Sequence, residues 1–343
     1  MKLAFNTKFV EASFLSSFGD KIKNMIEIRT NPITSRTSRI KYAPMKEIET
    51  GTQCLPPNPP EADNIEDCPF CYPQILKTTP LINPDIYPDG RIQKEQSVLF
   101  PNLFPYGAYS AVSIFDNRHF VEIGEARLSS YANSLINCGR YLRQVLNFDP
   151  HAIHTAITQN HLPAAGGSLV HPHLQIQADH IASNHFRFLK KRSSEYFRET
   201  GNFIFSDYLA CEKKESDRYV GKTGDWEWLT AFAPEGHFEL WAILPGHFSI
   251  ARLPDEKWES LAIGVLNAQR FYRSVCRNGY NLGILAVESE KEAFLELRCV
   301  MVARSNYAPW ARNDHSGFEV MLGDMATFLS PEETAQKARK FWA

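Results

Sequence analysis

Between residues 109 and 304 the chain runs twice through one order of patterns: a strand, a loop, a long amphipathic helix and two more strands. The first pass opens with "YSAVSIF" (109–115), whose loop runs on to His119. Apolar residues then recur at Leu128, Tyr131, Leu135, Cys138, Leu142 and Val145, the three-and-four spacing of a helix packed on something flat. "IHTAIT" (153–158) and "HPHLQIQA" (171–178) read as strands flanking a glycine loop. The second pass has "FELWAILPGHF" (238–248), a helix with Trp258, Leu261, Val265, Ala268, Tyr272 and Val275 on one side, then "NLGILAV" and "FLELRCVMVA". Placing His247 on His119 aligns the two passes without a large gap. This predicts an internal duplication, with both units contributing to one sheet. The class is α+β, an antiparallel sheet with packed helices, divided into an N-terminal half (1–210) and a C-terminal half (211–343).

The remaining stretches are less regular. Residues 1–53 read as a helix or loop followed by strand-like segments, and "CLPPNPPEADNIEDCPFCYP" as a proline-rich loop. A charged helix is expected at about 184–200, stopped by Gly201, and 211–225 reads as a polar connection. A net charge of −2 gives no basic footprint for nucleic acid or an anionic membrane surface. No apolar run approaches a membrane span, and the polar-interrupted start does not suit a signal-peptide core. Seven cysteines without scaffold spacing fit a reducing cytoplasm, where a close pair suits a metal site better than a bridge.

That pair is Cys68 and Cys71 in "CPFC". Alone it is a weak signal, shared with redox motifs and with unliganded loop thiols. Zinc would take two thiolates and two imidazoles, and His119 and His171 are the candidate partners. In an extended strand His171, His173 and Gln175 share one face while Leu174, Ile176 and Ala178 line the other. Such a face also suits an ordinary edge strand with solvated histidines. The chemical reading makes His173 a neutral imidazole nucleophile toward phosphorus, provided an acceptor holds its second nitrogen. Gly166 and Gly167 permit close backbone approach to an anion, and the Ser168 hydroxyl can bond phosphate oxygens. Gln175 can donate its amide to a phosphoryl oxygen but cannot act as a base. The set suits a nucleotidyl-histidine sheltered from water until a phosphate acceptor arrives.

At these residues the chain resembles the galactose-1-phosphate uridylyltransferase family, a branch of the histidine-triad superfamily. "NHLPAAGGSLVHPHLQ" and "CPFC" carry the likeness, supported by "RTNPITSR" (29–36), "FPNLFPYGAY" (100–109) and "RSNYAPWARNDHSGFEVMLG" (304–323). The resemblance implies two histidine-triad-like repeats, the second degenerate and contributing sugar or acceptor binding. It makes Cys68, Cys71, His119 and His171 zinc ligands and His173 the nucleophile, with Gln175 and Ser168 on phosphoryl oxygens. Asn160 would lie near the nucleotide phosphates and Arg29 near the nucleotide. Phe100, Asn102 and Phe104 would flank the nucleoside, and Arg304 and Glu319 would meet the sugar or acceptor. A homodimer is implied as well.

Three departures stand out. Leu103 replaces an acidic residue that the family often has near the ribose, which leaves the base open. A histidine pair that builds a second metal site in some members reads Glu296 and Arg298 here. The stretch between Arg304 and Gly317 is longer than usual, which leaves the acceptor open. The expected function is transfer of a nucleoside monophosphate between a nucleotide sugar and a sugar 1-phosphate or related phosphate, in carbohydrate metabolism. A phosphorylase acting on nucleotide sugars or dinucleotides shares the same intermediate. The rival from another class is a non-catalytic, zinc-stabilised binding protein.

Overall fold

The computed structural model describes residues 3–40, 55, 58–304, 317–327 and 329–343. The N-terminal region forms β1 (Asn6–Leu15), β2 (Lys21–Thr30) and β3 (Thr37–Ile40). After the short α1 (Gln74–Thr78) come β4 (Ile92–Lys94), β5 (Ser97–Pro101) and β6 (Tyr109–Ile114), then α2 (Leu128–Phe148), β7 (His154–His161) and β8 (His173–Asp179). Two helices follow, α3 (Asn184–Thr200) and α4 (Ile204–Glu215). The second pass comprises β9 (Tyr219–Thr223), β10 (Trp226–Thr230), β11 (His237–Leu244), α5 (Asp255–Ser274), β12 (Gly279–Val287) and β13 (Leu297–Arg304). The chain ends with α6 (Gly317–Leu322), β14 (Met325–Thr327) and α7 (Pro331–Arg339).

Ten strands form one sheet in the order β4-β5-β6-β8-β7-β12-β13-β11-β10-β9. Every neighbouring pair in it is antiparallel. The repeated units, β6-α2-β7-β8 and β11-α5-β12-β13, meet through β7 and β12, so their spatial orders mirror each other across that seam. A smaller sheet, β1-β2-β3-β14, closes with a parallel β3–β14 pair.

The two long helices pack against each other and on one face of the large sheet. On α2 the predicted stripe is buried from Tyr131 to Val145, but Leu128, in the first turn, is 42% exposed. All six predicted residues of the second stripe are buried, five on α5 and Val275 just past its end. The approach of α5 to the sheet requires Gly264, where a Cβ would land 2.3 Å from the Trp228 indole. The opposite face is covered unevenly. Over the second unit, α3 and α4 bury Leu189, Phe205 and Tyr208 against Trp241 and Ile243. Over the first, a small cluster of Ile75, Phe100, Val112 and Ile114, with Phe70 against it, seals the strands among the described residues. Polar residues of β7 and β8 beside that cluster are left with partial access to solvent.

Some expectations are corrected. The first fifty residues begin with a two-stranded ribbon, β1 paired with β2, rather than a helix. The region 211–225 is mostly regular structure, the end of α4 followed by β9. Its polarity misleads because Glu212 is buried and held by Arg218 at 2.7 Å. Cys276 is disulfide-bonded, which the cysteine spacing does not indicate. Among the described residues, no helix is long and apolar enough to cross a membrane.

Candidate active site and metal centre

Three separate elements supply one cluster. The proline-rich loop brings Cys68 and Cys71, the turn after β6 brings His119, and the approach to β8 brings His171. All four are buried, and their ligand atoms lie within 4.8 Å of one another. Cys71 Sγ is 3.3 Å from His119 Nδ1 and 3.5 Å from His171 Nδ1, and Cys68 Sγ is 3.8 Å from His171 Nδ1. Metal–sulfur and metal–nitrogen bonds of about 2.3 and 2.0 Å give a tetrahedral edge of roughly 3.5 Å, so the spacing fits a four-coordinate ion. Each imidazole turns Nδ1 to the thiols and donates its Nε2–H to a carbonyl, His119 to Glu61 at 2.8 Å and His171 to Asp116 at 3.0 Å. Such outer bonds fix the tautomer that a ligand needs. Burial, with Cys68 alongside, pushes the Cys71 thiol up to about 12. A dication would reverse this, because a bound metal deprotonates a coordinating thiol. The cluster could hold a metal ion.

Behind the cluster, Asp116 is braced by Arg118, whose Nη2 lies 2.7 Å from its carboxylate. Burial works against the charged form, yet the Arg118 hydrogen bonds hold the Asp116 carboxyl below its usual range. This pair ties down the turn that presents His119 and whose Asp116 carbonyl receives His171.

His173 begins β8 two residues after a cluster ligand and pairs with Ile114 of β6. Its Nδ1–H donates to the His171 carbonyl at 2.8 Å, which leaves the Nε2 lone pair for chemistry. Burial pushes its pKa down, which keeps the ring neutral. Phe70, from the cysteine loop, lies edge-on to His173 with ring centroids 5.4 Å apart. The cysteine loop thus packs directly against the imidazole. Gln175 is half-buried on the same face and pairs with Thr158 of β7. Continuing that register sets Asn160 beside His173.

Asn160 is itself oriented from the second unit. Its Oδ1 accepts from Asn281 Nδ2 at 2.6 Å, which turns its own amide N–H groups outward. Asn281 Nδ2 also donates to the Ala165 carbonyl at 2.8 Å, and Arg304 Nη1 donates to Asn281 Oδ1 at 2.6 Å. Asn281 is a functional candidate that sequence reasoning missed. Its only signal is its pairing with Asn160 across the β7–β12 seam.

The glycine loop is tightly folded. Gly166 N–H donates to the Pro163 carbonyl at 2.9 Å and Gly167 N–H to the Leu162 carbonyl at 3.0 Å, so both amides turn inward. At Gly167 a Cβ would meet the Asn160 carbonyl at 2.9 Å, so glycine permits the loop's close packing on its strand. Ser168 is exposed and makes no hydrogen bond among the described residues, so its hydroxyl is the loop's available donor.

The other sequence candidates are placed less uniformly. Phe100 is 2% exposed and packs on Phe70 at 5.2 Å. Asn102 accepts the Phe104 N–H at 3.0 Å, and the Phe104 ring is 76% exposed. Arg29 lies on the small sheet, bonded by Glu27 at 2.6 Å, by Glu332 at 2.8 Å and by the Phe232 carbonyl at 3.2 Å. Glu319 is half-buried on α6. Residues 305–316, most of the segment expected to meet an acceptor, lie outside the described residues.

No protein-family model matches the chain. Over 339 residues it is 27% identical to an uncharacterised protein of Archaeoglobus fulgidus, covering 98% of each. Over 257 residues it is 22% identical to the ADP-glucose phosphorylase of Arabidopsis thaliana, 67% of this chain and 69% of that one. The solved structure of an ADP-glucose phosphorylase from Arabidopsis thaliana with bound ADP-glucose superposes with TM-score 0.70 at 20% identity, covering 92% of this chain and 99% of that one. A uridylyltransferase mutant superposes with TM-score 0.67 at 18% identity, covering 92% and 97%. The chain has the galactose-1-phosphate uridylyltransferase fold, as its sequence resemblance implied.

Proposed function

We propose that this chain is a nucleotidyltransferase working by double displacement through His173. The observation that carries the proposal is the hydrogen bond from His173 Nδ1 to the His171 carbonyl, which leaves Nε2 unprotonated at the start of β8. In the first step Nε2 attacks the α-phosphorus of a nucleotide sugar. The N–P bond forms, the bridging P–O bond breaks, and its electron pair leaves with the sugar 1-phosphate. The positive charge that develops on the ring is stabilised by the carbonyl at Nδ1. In the second step an acceptor phosphate oxygen attacks phosphorus, and the N–P electron pair returns to Nε2. Asn160, Gln175 and Ser168 would hold phosphoryl oxygens, with Gly166 and Gly167 shaping the loop. Phe104, Asn102 and Phe100 would border the nucleoside, and Arg304 and Glu319 would face the sugar or acceptor from the C-terminal half. Cys68, Cys71, His119 and His171 would hold zinc, which pins the loop carrying Phe70 and takes no part in the transfer. The division of labour at 210/211 and a homodimeric assembly belong to the same proposal.

A second reading has its own support. The likeness to an ADP-glucose phosphorylase over 67% of the chain favours inorganic phosphate as the acceptor and an adenine nucleotide as the group carried. The test is incubation with labelled ADP- and UDP-sugars followed by intact-protein mass measurement. The added mass names the nucleotide, and its release by phosphate or by sugar 1-phosphate separates the two readings. His173→Ala should keep its metal and take no label. A labelled His173→Ala protein would sink the mechanism.

A further inference from the structure

The catalytic face of the sheet continues across the seam into a cavity of about 290 Å³ over the second unit. Its near end, at Gly283 and Val302, adjoins the catalytic row, because Val302 pairs with Asn281 and Asn281 with Asn160. At its far end Arg298 is only 9% exposed, with its guanidinium 4.1 Å from the Trp241 ring centroid and 4.6 Å from that of Phe205. Among the described residues it makes no hydrogen bond and no ion pair within 4.0 Å.

The carboxylates nearby are already engaged. Glu296 accepts from Ser206 N and Gly246 N, both at 2.8 Å. Glu239 takes the Trp241 indole N–H and the Glu235 amide, each at 2.5 Å. Glu235 takes Thr34 at 2.7 Å and Arg36 at 3.0 Å. Burial, with Glu235 beside it, pushes the Glu239 carboxyl up to about 7, so it is an incomplete counter-charge. The guanidinium lines the cavity and finds no acceptor among the described residues, so an anion entering there would supply one. His185 also lines the cavity, and Leu189, Leu285, Leu295 and Val300 supply apolar wall. The space is roughly twice the ~150 Å³ known to hold a benzene ring.

We propose that this cavity binds a small monocarboxylate with an apolar body, its two oxygens received by Arg298. The planar guanidinium matches a carboxylate bidentately. A phosphate dianion is disfavoured, because Glu235 and Glu239 share the wall. The site is separate from His173 and independent of the transfer reaction proposed above.

Hexanoate and benzoate serve as probes, read by calorimetry and by thermal shift, with hexanol and hexyl phosphate as controls. Saturable binding of a carboxylate probe is expected, with hexanol and hexyl phosphate each weaker by about tenfold or more, the scale of lost charge-assisted hydrogen bonds. Arg298→Met should weaken carboxylate binding by a similar factor. Gly283→Leu guards against misfolding of the arginine variant. Gly283 lines the cavity and a Cβ there meets nothing within 4 Å, so a leucine has room at that wall and should narrow the cavity against the probe. Nucleotide labelling of His173, followed in parallel, should persist in both variants. Failure of both carboxylates to bind the wild type, equal binding of hexanol or of hexyl phosphate, or undiminished binding in Gly283→Leu would overturn the proposal.

Discussion

Replacing Cys71 with serine removes the sulfur that lies closest to both imidazoles, 3.3 Å from His119 Nδ1 and 3.5 Å from His171 Nδ1. Structural zinc contributes roughly 10 kcal/mol or more of apparent binding energy, comparable to the whole stability of a domain at about 5–15 kcal/mol. Without the ion, the cysteine loop is held by the burial of Ile75 and the contact of Phe70 with Phe100. At about 1.5–3 kcal/mol per buried side chain, these contacts offset only part of the loss. The main core around α2 and α5 does not include the loop, so that part of the fold should remain. Cys71→Ser should therefore lose its metal and release the loop, and unfold at a lower temperature. Its His173 should also label slowly, because Phe70 and the His171 carbonyl both position that ring. Metal analysis, calorimetric melting and intact-mass labelling on one preparation check all three effects. A Cys71→Ser protein that keeps its metal, or one that lacks it yet labels at the wild-type rate, would refute the reasoning.

Asn281→Ala removes the donor that orients Asn160 and should slow nucleotide labelling by about tenfold or more, with metal content unchanged. An unchanged labelling rate would mean that Asn160 needs no such support. His119→Ala should abolish metal binding, whereas His247→Ala should be mild, since among the described residues that ring bonds only the Pro245 carbonyl, at 3.0 Å. Equal metal loss in the two would reverse the assignment of the halves. Glu239 supplies a pH test: its carboxyl stands at about 7 in the fold against 4.5 ordinarily, so the folded chain keeps a proton that the unfolded chain has lost. Its contribution is greatest below about pH 4.5 and disappears as pH rises through 7, a fall of roughly 3 kcal/mol at most. Glu239→Gln should flatten the fall in melting temperature between these values, and a parallel fall in wild type and variant would show that another group is responsible.

What the chain reveals by itself is local and periodic. The stripes at 131–145 and 258–275, and the alternation of Leu174, Ile176 and Ala178 against His173 and Gln175, are legible because each is set by the repeat of one element. The duplication is legible for the same reason, since it is an order of such patterns. Composition misleads where a charged residue is buried: the run ending α4 reads as a connection because Glu212 looks solvated until Arg218 is brought beside it. Four metal-ligand candidates could be listed from residue type, but closing a proline-rich loop onto two strand ends is what brings their ligand atoms within 4.8 Å. Tertiary structure also decided that β7 meets β12, placing Asn281 next to Asn160 although 121 residues separate them. It engaged Arg29 with Glu27 and Glu332, and left Arg298 buried without an ion pair among the described residues. Neither outcome has a local signature, because an arginine's role depends on which carboxylates the fold brings within reach.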